Sequence, residues 1–423
     1  MQTHTGIIFQ KVIMDRRRYS RKPELLAPAG DYARAVTAIR YGADAVYLGG
    51  QHYSLRSRAS NFSMEQIHDI CAYAEEHHAR IHVTVNEIPH EEDLEGLEDY
   101  LKTLEAYGVT AIICASPSVI ALAKKCAPGL EVHASTQLST TNSAAVRLLK
   151  HQLDIDRIVL ARECTLKETK ALIQNSPVDV EVFIHGGMCV NYSGRCTLSN
   201  RMTLRDANRG GCAQSCRWSY ALYEDDREVS KDHPFCTMGS RDLCAASILP
   251  DLMEAGAASL KIEGRMKTEY YVASIVSAYR HLIDELYEND GPLSRERMDY
   301  HIHEIMKGEN RETCTGFYEG TAGVESIIAH ENNNDHVNHG FLATVKDYDK
   351  ENGLALIETR NPFCVHDSFE VMEPGVNNRI FELEWMKKED GTYLDRSKTP
   401  MALLWIPVPF EVKKDDILRS ADT

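Results

Sequence analysis

The chain has 423 residues, of which 43% are hydrophobic and 26% charged, and its formal net charge at pH 7 is −16. This length predicts one large domain and a smaller one. No apolar run approaches the roughly 20 residues that cross a bilayer, so we expect no membrane association. The acidic balance argues against general coating of nucleic acid, because phosphate binding depends on Lys and Arg.

Residues 1–22 are predicted to form a basic tail. Their basic residues follow a short apolar stretch, whereas a secretory signal places them before it. We therefore expect a cytoplasmic protein whose thiols stay reduced, so that its 12 cysteines do not form disulfides.

From residue 23 to residue 329, the sequence repeats a helical stretch, a glycine and a short apolar strand. Glycine suits the left-handed turn that ends a helix, and a β-branched run suits a strand buried on both faces. Three repeats resemble each other: YGADAVYLGG (41–50), YGVTAIICAS (107–116) and AGAASLKIEG (255–264). Further strands are predicted at 24–27, 80–86, 131–135, 157–161 and 179–184, with amphipathic helices such as 65–77 and 93–106 between strands. Eight βα units of this size predict a TIM-type (β/α)8 barrel.

A doubly wound open sheet is the alternative fold. Such a sheet usually carries a G-x-G-x-x-G turn after its first strand. Here that turn reads APAGD (27–31), which favours the barrel.

A long insertion, residues 186–250, separates the seventh and eighth predicted strands. Strand seven ends near Ile184 and strand eight begins near Ser259, a gap of about 70 residues where about 30 suffice. Loops after barrel strands build the active-site face, so we expect the insertion there. It contains six cysteines: Cys189, Cys196, Cys212, Cys216, Cys236 and Cys244. The other six are scattered, which is typical of small buried apolar residues.

The C-terminal part changes pattern. Helices are predicted at 267–288 and 294–307, and the polar stretch HENNNDHVNH (330–339) reads as a linker. Residues 340–423 then contain short alternating strands, which predict a small antiparallel β-barrel-like domain. These strands lie at 340–348, 353–360, 368–374, 379–386 and 402–408.

Two cysteine pairs in the insertion predict a metal centre. Six residues separate Cys189 from Cys196, and three separate Cys212 from Cys216. Two thiolate pairs on one loop are what a four-thiolate site requires. The C-x2-C knuckles favoured by structural zinc are missing, which favours a [4Fe–4S] cluster, with zinc or incidental buried thiols as alternatives.

The same segment is basic and aromatic. Arginine guanidinium groups and aromatic rings suit an RNA backbone and an unstacked base, but they would equally offset the charge of a thiolate cluster. The candidate RNA ligands are Arg201, Arg205, Arg209 and Trp218.

Polar residues follow the predicted strands at their carboxyl ends. In a barrel these ends share one mouth, where several cations imply an anionic ligand. Each one taken singly is also explained as a salt-bridge partner of a helix end. The candidate substrate ligands are Arg56, Arg58, Arg162, Lys261 and Arg265, and the candidate proton-transfer residues are Glu263 and His185.

Several segments resemble peptidase family U32. They cover about residues 24–410: LLAPAG, GADAVYLGG, SLRSRA, EVFIHGGMC with GRCTLS, RDANRGGCAQSCRW, SLKIEGRMK and LLWIPVP. One departure is Gly187, where Ser or Ala is usual. The segment around Cys212 and Cys216 is most similar to the tRNA hydroxylation branch of this family.

The resemblance implies a function and a site. It implies prephenate-dependent formation of 5-hydroxyuridine at the wobble position of tRNA, and dependence on the iron–sulphur assembly machinery. Cys189, Cys196, Cys212 and Cys216 are then the expected cluster ligands, with Cys236 or Cys244 as a substitute for one of them. The cationic mouth would suit prephenate, a dicarboxylate.

Two other functions remain open on the sequence. Some family members are described as collagenolytic peptidases, but neither H-E-x-x-H nor G-x-S-x-G occurs here. The other alternative is a non-catalytic RNA-binding or assembly factor with a structural metal site.

Overall fold

The computed structural model describes residues 17–55, 61–230, 237–323, 326–327, 340–375 and 378–421. In the first part of the chain the strands are β1 (Glu24–Pro28), β2 (Ala45–Gly49), β3 (Arg80–Val85), β4 (Ala111–Cys114), β5 (Glu131–Ala134), β6 (Arg157–Val159), β7 (Asp179–Gly186), β8 (Tyr223–Glu224), β9 (Arg227–Glu228), β10 (Asp242–Cys244), β11 (Ser259–Ile262) and β12 (Thr313–Cys314). The helices are α1 (Tyr32–Arg40), α2 (Met64–Glu76), α3 (Leu97–Ala106), α4 (Pro117–Cys126), α5 (Ser143–Leu153), α6 (Leu166–Asn175), α7 (Leu198–Thr203), α8 (Leu249–Ala255), α9 (Glu269–Asn289) and α10 (Arg295–Met306).

The predicted barrel is confirmed. Strands β1 to β7 pair in sequence order and in parallel, and β11 pairs in parallel with both β7 and β1, which closes the barrel. Residues of β1, β2 and β4 are buried throughout, as expected for strands covered on both faces. None of the described helices is long and apolar enough to cross a membrane.

Side-chain caps fix where several helices begin. The hydroxyl groups of Ser63, Thr165, Thr268 and Ser294 each accept a backbone N–H in the first turn of the helix that follows. The helix expected at 93–106 is shorter than predicted. Glu91–Leu94 forms a 3-10 turn and Gly96 takes a φ of +76°, so α3 begins only at Leu97.

The barrel interior contains buried charges. On β11, Lys261 points inward and its Nζ lies 2.8 Å from Glu181 Oε1. Arg157 Nη1 lies 3.2 Å from the other Glu181 oxygen and 2.5 Å from Glu24 Oε1. Each of these side chains is almost completely buried. Charges buried this deeply need oppositely charged partners, and here they form one salt-bridge network inside the barrel.

The basic segment before β1 contacts the amino-terminal end of the barrel. Arg21 pairs with Asp179 at the start of β7, and Arg18 pairs with Glu254 on α8. Tyr19 between them is buried. Residues 1–16 of the predicted tail lie outside the described residues, as does the predicted linker.

The last part of the chain forms a separate antiparallel β unit. Its strands are β13 (Phe341–Asp349), β14 (Leu354–Thr359), β15 (Phe363–Cys364), β16 (Ser368–Met372), β17 (Arg379–Glu382), β18 (Met386–Lys388), β19 (Tyr393–Leu394), β20 (Arg396–Ser397), β21 (Leu403–Pro407) and β22 (Ile417–Ser420). Its main sheet has the order β17-β16-β22-β13-β14-β21-β18-β19.

One strand prediction in this unit was wrong, and one strand of the main sheet was not predicted. The segment 379–386 is two strands, because β17 pairs with β16 whereas β18 pairs with β21. The central strand β22 was missed, because its Arg419 gives it a polar sequence. The structure buries this arginine between Glu370 and Glu304 of α10, at 2.7 and 2.6 Å, which also ties the β unit to the barrel.

Candidate active site at the barrel mouth

The insertion crosses the mouth of the barrel. Near its start, the Ser193 hydroxyl donates to Glu163 beyond β6, and Ser139 Oγ beyond β5 donates to Ser193 O at 2.6 Å. Farther along, Asn208 O accepts from Ile88 N beyond β3 at 3.1 Å. The insertion thus starts from β7 and is attached beyond β6, β5 and β3, and β3 lies opposite β7 in the eight-stranded barrel.

At Gly194 the backbone of the insertion lies close to the backbone beyond β5. Its φ is +72°, and a Cβ atom placed there would lie 2.0 Å from Gln137 O. Any other residue would push the two backbones apart. The glycine between Cys189 and Cys196 is thus required by the packing of the insertion on the turn that follows β5.

The four predicted cysteine ligands lie near one another. Cys189 and Cys212 are exposed, and Cys196 and Cys216 are half-buried. Burial raises the pKa of Cys216, and the charges of Cys189, Cys212 and Cys196 raise it further, which places all four thiols within electrostatic range. Among the described residues, no three His, Cys, Asp or Glu side chains are arranged to hold a single metal ion.

Arg162 and Glu263 face each other at the mouth. Arg162 Nη2 lies 3.5 Å from Glu263 Oε2, and Arg162 Nη1 donates to Gly187 O at 2.5 Å. The guanidinium carbon lies 3.7 Å from the centre of the Phe183 ring. Tyr47 Oη is 3.3 Å from Glu263 Oε2. The mouth thus offers a cation fixed on an aromatic face beside a partly exposed carboxylate.

Arg265 also reaches the mouth, where it joins β11 to its neighbours. Its guanidinium donates to Ser54 Oγ at 3.1 Å, Thr84 Oγ1 at 3.3 Å and Asn61 Oδ1 at 2.8 Å. Lys261 lies deeper in the barrel with Glu181, so the geometry favours a structural role for it. Arg56 and Arg58 lie outside the described residues, as does Cys236.

His185 does not face the mouth. Its side chain is 0% exposed, with Nε2 2.6 Å from Glu309 Oε1 and Nδ1 3.2 Å from Tyr279 Oη. Cys244 on β10 pairs with it across the sheet. Burial alone would lower the pKa of His185, but hydrogen bonds with Cys244 and Glu309 outweigh it and raise the pKa to about 9. A ring enclosed in this way cannot reach a substrate, so the geometry does not favour the predicted proton transfer.

The partners of His185 were not identified from the sequence. Tyr279 lies in α9 and Glu309 follows α10, far from His185 along the chain. Their only sequence signal is polar residues within an otherwise apolar helix face and at a helix end. That signal is too common to select them.

The predicted RNA ligands fall into two groups. Arg201 on α7 is exposed, and Trp218 is 42% exposed just after the turn against which α7 packs. Arg205 follows α7 and is half-buried. Arg209 instead pairs with Asp93 at 2.6 Å and donates to Ile88 O at 3.4 Å. Its charge is offset, so this geometry favours an anchoring role for Arg209.

Comparison with known proteins assigns most of the chain to one family. Residues 30–328 match peptidase family U32, and residues 337–419 match the peptidase family U32 C-terminal domain. The chain belongs to peptidase family U32. The resemblance found in the sequence is therefore confirmed.

Similar curated proteins are named for RNA hydroxylation. The tRNA hydroxylation protein P1 of Bacillus subtilis (strain 168) is 40% identical over 96% of this chain and 97% of its own length. The tRNA hydroxylation protein P of Escherichia coli (strain K12) is 29% identical over 93% of this chain and 95% of its own. The 23S rRNA 5-hydroxycytidine C2501 synthase of the same strain is 40% identical over 65% of this chain but only 41% of its own length.

Proposed function

We propose that this cytoplasmic U32 protein hydroxylates the wobble uridine of tRNA to 5-hydroxyuridine, using prephenate and an iron–sulphur cluster. The observation that carries the proposal is the attachment of a four-cysteine insertion across the mouth of a barrel that presents Arg162 and Glu263. Similarity over nearly the full length of a tRNA hydroxylation protein supports RNA as the substrate.

The donor set supports a [4Fe–4S] cluster over zinc. One zinc ion bonds four thiolates at about 2.3 Å and therefore needs all four sulfur atoms closely grouped. A four-iron cluster binds one thiolate per iron and accepts a wider group. The pairs here are spaced by six and three residues, wider than the C-x2-C knuckles of structural zinc, and the four thiols share one electrostatic environment, which supports the wider group. The iron–sulphur assembly machinery would then be a partner of this chain.

The side chains at the mouth have distinct proposed roles. A cluster held by Cys189, Cys196, Cys212 and Cys216 would supply electron transfer when bound. The Arg162 guanidinium, oriented by Phe183, would bind a carboxylate of prephenate. Glu263 would hold or release a proton beside it, because it reaches the mouth and His185 does not. The attached insertion would exclude water from the space below it.

A peptidase function is the alternative that the family description raises. Cys244, His185 and Glu309 form the thiol–imidazole–carboxylate set that a cysteine peptidase requires. His185 is completely buried, however, so a peptide bond has no path to it in this arrangement.

The test is nucleoside mass spectrometry of bulk tRNA from a host that lacks all such proteins. The host is complemented with the wild type, with Cys196→Ala, or with Cys364→Ala as a matched control in the C-terminal β unit. We expect 5-hydroxyuridine from the wild type and Cys364→Ala but not from Cys196→Ala. A host unable to make prephenate should also lack the product.

Other outcomes would redirect the assignment. A soluble, iron-loaded wild type that restores no 5-hydroxyuridine would refute the proposal. Gelatin cleavage that survives Cys196→Ala would favour the peptidase. Hydroxylation supported by a folded protein without iron would favour the non-catalytic assembly factor.

A further inference from the structure

Leu204 is an exposed apolar residue whose backbone conformation is unfavourable for leucine. It ends α7 with a φ of +58°, in the left-handed region where Cβ crowds the following carbonyl oxygen. Glycine or asparagine usually occupies this position of a helix end. The Leu204 side chain is also 93% exposed, so it contributes little to the packing of the fold. A strained residue with no packing role is typical of a functional site.

The surroundings of Leu204 are cationic. Arg201 lies one turn earlier on the same helix, and its guanidinium has no hydrogen bond or ion pair within the described parts of the chain. Arg205 follows Leu204, and its buried Nε atom has no hydrogen-bond partner. The nearby carboxylate of Asp206 accepts from Asn208 N at 2.8 Å and so caps the 3-10 turn Ala207–Arg209.

Leu204 is also joined to the cysteine site. Ser199 Oγ on α7 accepts from Ala213 N at 3.0 Å, and α7 packs against the 3-10 turn Ser215–Arg217. Cys212 directly precedes Ala213, and Cys216 lies within the 3-10 turn. A group bound at Leu204 would therefore lie beside the segment that carries Cys212 and Cys216.

We propose that Leu204 is a wedge that enters the base stack of an RNA loop and holds the target pyrimidine out of it. The inference rests on the proposed function and extends it. A stacked base cannot present its ring to a recessed site, so an enzyme acting on a base must draw it out. An inserted apolar side chain replaces part of the lost stacking. Arg201 binds the adjacent phosphate, and Trp218 offers a face for an unstacked base. This charge complementarity selects RNA over an apolar protein partner.

The decisive variant is Leu204→Gly. Glycine accepts the left-handed backbone without strain, so the variant should unfold at the same or a higher temperature than the wild type. Leu204→Met keeps an apolar side chain. Leu148→Ala removes a leucine that is 61% exposed on α5, outside the insertion. We expect Leu204→Gly to lower kcat/KM on folded tRNA about 10- to 100-fold, and the two controls to stay near wild type.

A fluorescence readout separates the wedge from the chemistry. A tRNA with 2-aminopurine beside the wobble position should brighten when the wild type or Leu204→Met binds, but not when Leu204→Gly binds. A tRNA with an abasic site in place of the base beside the wobble uridine should restore hydroxylation of that uridine by Leu204→Gly, because the stack is already open.

The possible failures are distinct. If Leu204→Gly brightens 2-aminopurine and hydroxylates tRNA as the wild type does, the wedge is refuted while the proposed function stands. If the wild type brightens the probe but forms no 5-hydroxyuridine, the wedge stands and the proposed function fails. If neither protein binds tRNA, or Leu204→Gly instead loses a protein partner, Leu204 does not bind RNA.

Discussion

Lys261→Met tests whether the lysine of the KIEGR segment binds substrate or stabilises the barrel. Lys261 Nζ lies 2.8 Å from Glu181 Oε1, and both side chains are almost completely buried. Removing one partner of a buried ion pair costs about 3–5 kcal/mol. Arg157 still lies 3.2 Å from Glu181 in the variant, so we expect the lower end of this range, about 3 kcal/mol. At about 2–4 °C per kcal/mol, the midpoint of thermal unfolding should fall by roughly 6–12 °C.

The pH dependence of this loss follows from the pKa of Glu181. Burial alone would raise this pKa, but Lys261 and then Arg157 lower it to about 2, below the ordinary 4.5. A lowered carboxyl pKa stabilises the fold above about pH 4.5, and this stabilisation is lost as the pH falls toward 2. The wild type should therefore exceed Lys261→Met most at neutral pH, and the difference should shrink on acidification.

The assay is thermal unfolding followed by circular dichroism, paired with prephenate binding by calorimetry. Lys102→Met, which removes an exposed lysine paired with Glu98 on α3, is the control and should leave the unfolding temperature unchanged. If Lys261→Met unfolds like the wild type but no longer binds prephenate, the structural reasoning is wrong and Lys261 is a ligand.

Three further predictions concern the insertion and the barrel interior. Cys216→Ser should remove iron and acid-labile sulphide from the purified protein. Cys244→Ser should retain both, because the Cys244 thiol is hydrogen-bonded to His185 instead. Equal losses in the two variants would make Cys244 a ligand. Gly194→Ala should detach the insertion and speed its proteolysis, whereas Gly187→Ala should not, since a Cβ on Gly187 would meet nothing closer than 3.9 Å. Burial and the charge of His133 lower the pKa of His82 to about 3 from 6.5, so unfolding takes up a proton and stability falls as the pH drops from 6.5 toward 3. His82→Leu should flatten the fall in unfolding temperature over that range, and an unchanged slope would show that His82 is not its source.

The barrel could be predicted because its strands and helix ends are local signals. Each βα unit has a buried apolar run and many have a glycine at the preceding helix end, so strand positions follow from the nearby sequence. How deep a side chain lies inside the barrel could not be predicted from the local sequence. Lys261 and Glu263 share a face of KIEGR, but Glu263 lies two positions farther along the strand, a distance of about 6.6 Å. Only the strand bounds show that Lys261 lies within β11 and Glu263 beyond it.

The route of the insertion was equally hidden from the sequence. Cysteine spacing predicted one group of thiols, and in the structure Cys189, Cys196 and Cys212 lie within electrostatic range of Cys216. The contacts that hold them over the mouth, such as Ser193 with Glu163 and Asn208 with Ile88, join residues far apart in the chain. No local pattern identifies such pairs, because each depends on how the closed barrel brings its loops together.

A β-bulge in β7 separates the Cys244–His185 pair from the mouth, where the insertion carries the four predicted cluster ligands. Lys261 of β11 pairs with Phe183, but the next residue, Ile262, pairs with His185, so Ile184 is extra. Bulges redirect the side chains that follow them. Phe183 accordingly packs on Arg162 at the mouth, whereas His185 turns toward α9 and Cys244. Had the strand stayed regular, His185 would have faced the mouth as a base. As folded, the mouth keeps a cation and a carboxylate beside the segment that carries four other cysteines, an arrangement suited to binding an anion next to the proposed cluster and unsuited to attack on a peptide bond.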